Sequence, residues 1–179
     1  MSITSSQNPT DAGDSITFTA TGSSGTGSYT YQWYVNDSAV SGATSSTYST
    51  SFSAGTYSVY VILTDGVGDS ATSNTVIETV HSDPSVTIKS SQNPTDAGDS
   101  ITFTASTSGG TGAFTYTWYV DGSAESSTSN TFSYTFSSTG TYYVNVTAED
   151  SIGNTAKYSY TETVAVNVTE SPTPSVNIT

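Results

Sequence analysis

The sequence contains no cysteine and no arginine, and its basic side chains, apart from one histidine, are Lys89 and Lys157. Without cysteine the fold has no disulfides and the chain has no thiol nucleophile, so stability has to come from an apolar core. The formal net charge is −13, whereas phosphate binding requires clusters of basic side chains. The composition therefore excludes a nucleic-acid-binding protein, although it leaves cation binding open.

Long hydrophobic runs are missing as well. No stretch approaches the 18 apolar residues expected of a membrane-spanning helix, so we expect no membrane insertion within this chain. The opening residues Met1-Ser-Ile-Thr lack the basic region and apolar run of a signal peptide. Both absences fit a fragment whose targeting and anchoring segments lie elsewhere in a longer protein.

The residues that are abundant indicate a packed β fold. Serine and threonine make up 70 of 179 residues, and charged residues only 9%, against about a quarter in an ordinary chain. Such a polar composition favours disorder unless enough apolar surface can be buried. The 13 tyrosines, six phenylalanines and two tryptophans supply that surface, and aromatic residues are enriched in strands.

A repeat organises the chain. The sixteen residues from Ser5 to Ala20 recur unchanged from Ser90 to Ala105, and Trp33 and Trp118 are separated by the same 85 positions. A fixed period means that each repeat folds as one unit, and about 85 residues is an ordinary domain size. A near-copied unit typically supplies length, spacing or multivalency, whereas an active site is usually unique.

The period predicts a β-sandwich repeat over residues 1–82, a second over 83–170, and a short segment over 171–179. That segment ends in Pro-Ser-Val-Asn-Ile-Thr and resembles the start of the second repeat, Pro-Ser-Val-Thr-Ile-Lys. One interpretation is a linker and the first strand of a truncated third repeat, in a piece cut from a longer array. The alternative is a donor strand, in which Val176 and Ile178 complete the first strand of another molecule.

Apolar and polar residues alternate with a period of two, which is typical of half-buried strands. The inward sets are Ile16/Phe18/Ala20, Tyr31/Trp33/Val35 and Tyr57/Val59/Val61/Leu63, with counterparts in the second repeat. Segments rich in Gly, Asn, Asp and Pro separate the runs, and no segment has a helical period. The pattern predicts an all-β fold of two tandem Greek-key β-sandwich domains with about seven strands each.

Three motifs then carry a resemblance to a known family. Y-x-W-Y-V-x-(D/G)-S, T-Y-S-T-S-F-S-A-G-T-Y-S-V-Y-V and T-D-G-V-G-D-S-A resemble immunoglobulin-like and PKD-like modules of prokaryotic surface proteins, including archaeal cell-envelope and S-layer-type arrays. The resemblance implies that Trp33 and Trp118 fill the core and that Tyr57 and Tyr142 are corner tyrosines. PKD modules usually carry D-F-G-D-G after the tryptophan, where this chain has Y-V-N-D-S, so the resemblance to immunoglobulin-like modules is closer.

Catalysis finds little support in the sequence. His81 lies beside Ser82 and Asp83, but sequence neighbours do not project into the geometry of a Ser-His-Asp triad. The acidic residues fall mainly in turns, whereas a glycosidase needs two carboxyl groups facing one cleft. We therefore predict that the chain is not an enzyme.

Calcium is the one candidate cofactor. Carboxylate and carbonyl oxygens are the ligands that calcium prefers, and acidic residues recur in the predicted loops at Asp11, Asp14, Asp65, Asp69, Asp96, Asp99 and Asp150. Their spacing is not that of an EF-hand. The alternative, which we favour, is that Asp-Ala-Gly-Asp and related segments are turns with solvated acids.

Two further sets of residues concern the surface. Four asparagines fit the N-glycosylation sequon, Asn36, Asn145, Asn167 and Asn177, although a chain this rich in Ser and Thr produces such matches by chance. Four tyrosines fall on the predicted outer face, Tyr34, Tyr60, Tyr119 and Tyr143. They suit a sugar platform or a protein interface, or they cover the sheet by cross-strand pairing.

Together these features predict a non-catalytic structural module of an extracellular surface protein, such as a stalk, a spacer or a cell-envelope segment. A variant of this prediction is a filament joined by strand donation. The alternative is an adhesive or carbohydrate- or protein-binding accessory module. The expected partners are neighbouring repeats or identical subunits, with a glycan or surface protein in the second case.

Overall fold

The computed structural model describes residues 1–93, 95–156 and 164–169, the last of these for the backbone alone. The chain divides into two compact units, Met1–Asp83 (unit 1) and Pro84–Thr179 (unit 2). Each unit is a β-sandwich, and the described residues contain no helix. The predicted donor strand with Val176 and Ile178, the sequon at Asn177 and Lys157 lie outside the described residues.

Unit 1 consists of nine strands in two sheets. They are β1 Ser2–Ser5, β2 Thr10–Asp11, β3 Ile16–Thr21, β4 Thr30–Val35, β5 Ser38–Ala39, β6 Thr47–Thr50, β7 Gly55–Thr64, β8 Ser70–Thr72 and β9 Val76–His81. One sheet has the order β1-β3-β6, and the other has the order β2-β9-β7-β4-β5 with β8 also paired to β7. All pairs are antiparallel except β2 with β9.

Unit 2 repeats this topology with eight described strands. They are β10 Ser85–Ser90, β11 Thr95–Asp96, β12 Ser100–Ser108, β13 Thr115–Val120, β14 Ser123–Ala124, β15 Thr131–Thr135, β16 Gly140–Glu149 and β17 Val164–Thr169. The sheets have the orders β10-β12-β15 and β11-β17-β16-β13-β14. The parallel pair is again the second strand with the last, β11 with β17.

The predicted all-β fold of two tandem sandwiches is confirmed, with more strands than the seven expected. The additional elements are short, since β2, β5, β11 and β14 have two residues each. The N-terminal segment is divided between the two sheets: β1 pairs with β3, whereas β2, in a segment that was predicted as a turn, pairs with β9. Such a division gives each sheet a partner at its edge.

The alternating aromatic residues form one core in each unit. Trp33 and Trp118 are fully buried, and their indole N–H groups donate to the carbonyl oxygens of Ser45 and Ser129, both at 2.8 Å. A buried indole needs such an acceptor, because an unpaired polar group in the core is destabilising. The tryptophans therefore fill the core, and they also fix the segments before β6 and β15, which contain the two acceptor carbonyls.

A tyrosine corner recurs in both units. The hydroxyl of Tyr57 donates to the carbonyl oxygen of Ser53 at 3.0 Å, and that of Tyr142 donates to Ser138 at 2.9 Å. Each ring also packs on a phenylalanine, with centroids 4.1 Å apart in unit 1 and 4.3 Å apart in unit 2. The contact fixes the turn that leads into β7 and into β16.

Candidate functional site

The loop after β7 is organised by one carboxylate. The N–H groups of Val67 and Asp69 donate to Asp65 Oδ1, both at 3.0 Å, and the N–H of Thr26 donates to Oδ2 at 2.9 Å. These bonds stabilise the ionised form, and that from Thr26 contributes most, so the pKa of Asp65 is lowered from its ordinary 3.8. Asp65 thereby ties the β7–β8 turn to the loop that precedes β4.

Unit 2 repeats this arrangement in a more buried setting. Asp150 is 5% exposed, and its Oδ2 accepts the N–H of Thr111 at 2.9 Å. Its Oδ1 accepts the N–H groups of Ile152 at 3.1 Å and Asn154 at 2.9 Å. Ser151 adds a second link, because its hydroxyl and its N–H both donate to the carbonyl oxygen of Thr111.

The other recurring acids lie in the short strands β2 and β11 and in the turns that follow them. Asp11 belongs to β2, and its carbonyl oxygen accepts the N–H of Asp14 at 3.2 Å. Asp96 and Asp99 make the same contact at the same distance in unit 2. Between each pair lies a glycine with positive φ, which is 84° for Gly13 and 93° in unit 2, a backbone conformation that glycine adopts without strain.

The candidate calcium site finds no support in these positions, and the favoured alternative of solvated acids is wrong for Asp11 and Asp150, which are buried. In residues 1–93 and 95–156, no three His, Asp or Glu side chains come together as a group that could hold a metal ion. Asp65 and Asp150 use both carboxylate oxygens to accept backbone N–H groups. Asp65 and Asp150 therefore hold their loops in place by accepting backbone N–H groups. The sequence feature that could have indicated this role is the D-x-x-G spacing at residues 65–68 and 150–153.

The sequon at Asn36 coincides with a structural turn. Asn36 has a φ of 48°, and its Oδ1 accepts the N–H of Ser58 at 2.9 Å. Its counterpart Asp121 has a φ of 47° and accepts the N–H of Tyr143 at 2.8 Å. Because Asp121 accepts the equivalent backbone hydrogen bond in unit 2, the turn is sufficient to account for Asn36, without a role in glycosylation.

Two further sequon asparagines, Asn145 and Asn167, lie within strands. Asn145 is half-buried on β16, where it is the register partner of Tyr119. Asn167 lies within β17, and its side chain is outside the described part of the chain.

The outer tyrosines of unit 1 form a stacked pair. Tyr34 and Tyr60 are register partners on β4 and β7, with ring centroids 4.9 Å apart and planes inclined by 4°. Partial burial, then the nearby Asp37 carboxylate, raises the pKa of Tyr60 above its ordinary 10.0. Since each ring presents one face to the other, the geometry favours the cross-strand interpretation over a sugar platform, which uses open ring faces.

A shallow groove of about 280 Å³ lies along β6 and the loop before it. It is lined by Val40, Ser41, Gly42, Ala43, Thr44, Ser45, Thr47, Tyr48 and Ser49. Hydroxyl groups dominate this surface, and the lining includes no carboxylate or imidazole. The groove therefore offers hydrogen bonds without the acid–base pair that hydrolysis requires.

Two asparagines that the sequence analysis did not single out cap sheet edges in unit 1. The N–H of Ile3 donates to Asn74 Oδ1 at 2.9 Å, and Asn74 Nδ2 donates back to the Ile3 carbonyl oxygen. Asn8 bridges β9 in the same way, with Nδ2 donating to the Ile77 carbonyl oxygen and Oδ1 accepting the N–H of Thr79. Each amide occupies the hydrogen-bonding groups that an additional strand would use.

Comparison with known proteins gives one family match. Residues 85–162 match the family model of the PKD domain. Comparison with curated protein sequences finds no significant match. In the described part of the chain, no helix has the length and hydrophobicity needed to cross a membrane.

The chain is similar to several solved structures at low sequence identity. The fibronectin(III)-like modules of CbhA from Clostridium thermocellum share 16% identity over 99% of both chains, with a TM-score of 0.47. The three N-terminal domains of the outer capsid protein Hoc of bacteriophage RB49 share 18% identity over 94% of this chain and 58% of theirs, with a TM-score of 0.48. The ectodomain of mouse nectin-like molecule 4 shares 14% identity over 98% and 65%, with a TM-score of 0.39.

The part of unit 2 that matches the family model is thus a PKD-like module, and unit 1 has the same strand order in its β-sandwich. Modules of this class are typical of extracellular structural or adhesion-type proteins, and they are typically non-catalytic.

Proposed function

We propose that this chain is a non-catalytic structural segment of an extracellular surface protein, acting as a stalk, spacer or S-layer-type envelope module. The proposal rests on one observation. Outside the identical segment, the side chains that hold each unit together recur between the two units. The pairs Trp33/Trp118, Tyr57/Tyr142 and Asp65/Asp150 recur with the same hydrogen bonds.

Outward positions, by contrast, differ between the units. The register partner of Tyr34 is Tyr60, whereas that of Tyr119 is Asn145. Thr4 on β1 corresponds to the exposed Lys89 on β10. A repeat that conserves its internal hydrogen bonds while its surface residues differ is suited to act as a spacer. Ten-residue strands such as β7 and β16 give each unit an extent of about 33 Å.

The surface chemistry supports a spacer. Abundant hydroxyl groups hydrate the chain despite its 9% charged residues, and the amide caps of Asn8 and Asn74 satisfy edges that would otherwise pair with other chains. In the parent protein the partners are then neighbouring repeats. Glycans at the exposed Asn36 or at Asn145 would add to the hydration and belong to the same proposal.

Strand donation by Val176 and Ile178 is a variant of this proposal. In unit 1, β1 is formed by Ser2–Ser5, and Ile3 is buried opposite Ala20. A donated strand would therefore have to displace β1. That requirement makes the monomeric spacer the simpler of the two.

Light scattering on the full chain and on a chain ending at Glu170 tests this proposal. A spacer predicts that both are monomers, the full chain near 18.5 kDa. If the full chain polymerises and the shortened chain does not, the tail is a donor strand and the protein builds filaments.

An adhesive module is the second candidate, favoured by the outer face of the larger sheet in unit 1. Ile77 is 54% exposed there, on the face that also carries Tyr34 and Tyr60. Binding of a glycan or a surface protein predicts a ligand-dependent rise in melting temperature, since a ligand that binds the folded state stabilises it. A spacer shows no such rise across a panel of glycans.

A further inference from the structure

Glu78 is an acidic side chain in the core of unit 1. It lies on β9 between the inward-facing Val76 and Val80, and its relative exposure is 0%. Its register partner on β7 is Tyr57. A carboxylate is among the most destabilising groups to bury, because ionisation in a medium of low polarity costs several kcal/mol.

The surroundings of Glu78 do little to stabilise a negative charge. Ser5 Oγ lies 2.8 Å from Oε2, but its single proton is shared with the carbonyl oxygen of Gln7, which is also 2.8 Å away. Oε1 has no hydrogen-bond partner among the described residues. Residues 1–83 include no lysine and no arginine. Unit 1 therefore has no permanently charged cation of its own that could pair with Glu78.

In unit 2, an apolar residue occupies the position that corresponds to Glu78. Glu78 is paired with Tyr57, and the corresponding pair in unit 2 is Val166 with Tyr142. The short strands lead to the same alignment. Thr10 pairs with Val80, and its counterpart Thr95 pairs with Val168, so the residue two positions earlier is Glu78 in unit 1 and Val166 in unit 2. The fold itself consequently does not need a carboxyl group at this position.

We propose that Glu78 is held in the core as the neutral acid, so that unit 1 is an acid-stabilised repeat that weakens as the pH rises, while unit 2 lacks this response. Burial raises the pKa of Glu78 above its ordinary 4.5, and the Ser5 hydrogen bond offsets this only in part. The stabilisation that depends on the neutral acid is complete below the unfolded-state pKa. It is lost as the pH rises through the folded-state pKa.

Other titratable groups lie on the strands packed against Glu78. They are Tyr57 on β7, Asp11 on β2, the amino group of Met1 ahead of β1, and His81 on β9 itself. Asp11 is buried as well. Because several groups titrate in this region, the test has to isolate Glu78 by substitution.

The test uses the full chain and its two tryptophans, one in each unit. Each buried indole N–H gives a separate nuclear magnetic resonance signal, so urea unfolding can be followed for unit 1 through Trp33 and for unit 2 through Trp118. We would measure both unfolding curves between pH 4 and pH 8 for the wild type, for Glu78→Gln and for Glu78→Val, which installs the unit 2 residue.

We expect the folding equilibrium constant of unit 1, relative to that of either variant, to fall with rising pH by up to about tenfold per pH unit. The Trp118 curve should be the same in all three proteins at each pH. A ratio between wild type and variants that does not change with pH would overturn the proposal.

A second measurement holds even where a variant fails to fold. The ¹³C signal of the Glu78 carboxyl group in the wild type reports its protonation directly. We expect it to titrate above the ordinary glutamate range or not at all before unit 1 unfolds. A signal that titrates at or below pH 4.5 would show that the group is ionised in the folded unit and would refute the proposal.

Discussion

Replacing Asp150 with alanine should destabilise unit 2 strongly, because this carboxylate holds three backbone N–H groups at once. The Thr111 N–H is buried, so the substitution removes its carboxylate acceptor in the interior. The N–H groups of Ile152 and Asn154 lie in half-buried residues and can be reached by water after the substitution.

The magnitude follows from these three bonds. An unsatisfied buried donor costs about 1–3 kcal/mol, and a hydrogen bond that water replaces costs about 0.5–1.5 kcal/mol. The sum is about 2–6 kcal/mol, against a total of roughly 5–14 kcal/mol for a unit of this size. We therefore expect the melting temperature of unit 2 to fall by at least about 8 °C in Asp150→Ala.

The assay is thermal and urea unfolding of the full chain, followed through the separate indole signals of Trp33 and Trp118. Asp65→Ala is the matched variant, and we expect it to weaken unit 1 by less, because the Asp65 loop is more exposed. A loss of under 1 kcal/mol in Asp150→Ala would refute the role of this carboxylate as the loop organiser.

The other predictions concern single contacts and pH. Tyr142→Phe removes the corner hydrogen bond and should lower the stability of unit 2 by about 1 kcal/mol, measured from its urea midpoint; an unchanged midpoint would exclude a role for the hydroxyl. Gly112→Ala should cost about 2–3 kcal/mol, since φ is 77° and the added Cβ meets the Ser151 hydroxyl. Gly122→Ala is its control, with a φ of 82° but open space around the Cβ, and an equal loss in both would show that only backbone strain matters. For Asp65, whose pKa is lowered, the stabilisation is present above pH 3.8 and is lost as the pH falls through the folded-state value. The protection factors of the amides in the β7–β8 turn, taken relative to the intrinsic exchange rate at each pH, should therefore fall in acid, and protection factors that persist would contradict this.

Much of the fold could be predicted from the period-two alternation. Residues such as Phe18, Trp33 and Val59 were expected inside and are fully buried, because a strand with one face on the core dictates where its apolar side chains lie. The division of the N-terminal segment into β1 and β2 could not be predicted in this way. A two-residue strand carries no periodicity, and its pairing depends on a partner about 70 residues away.

The polar residues were harder to interpret. Acid spacing alone does not distinguish a metal ligand from a carboxylate that accepts backbone N–H groups, as Asp65 and Asp150 do. Glu78 falls in the alternating run Val-Ile-Glu-Thr-Val, which places it inside by the same rule that placed the valines. Glutamate is rarely buried, so alternation alone is weaker evidence for the burial of a glutamate than of a valine.

The identical segments Ser5–Ala20 and Ser90–Ala105 have a consequence for biosynthesis. Each includes most of β3 or of β12, so either copy fits the sheet of either unit, and exchange between them would give a domain-swapped chain. Domains fold as units, the N-terminal one first during synthesis. Since unit 1 ends at Asp83, its sandwich can close before the second copy leaves the ribosome. The order of translation thus protects a pairing that the two sequences alone do not distinguish, and refolding from denaturant lacks that protection.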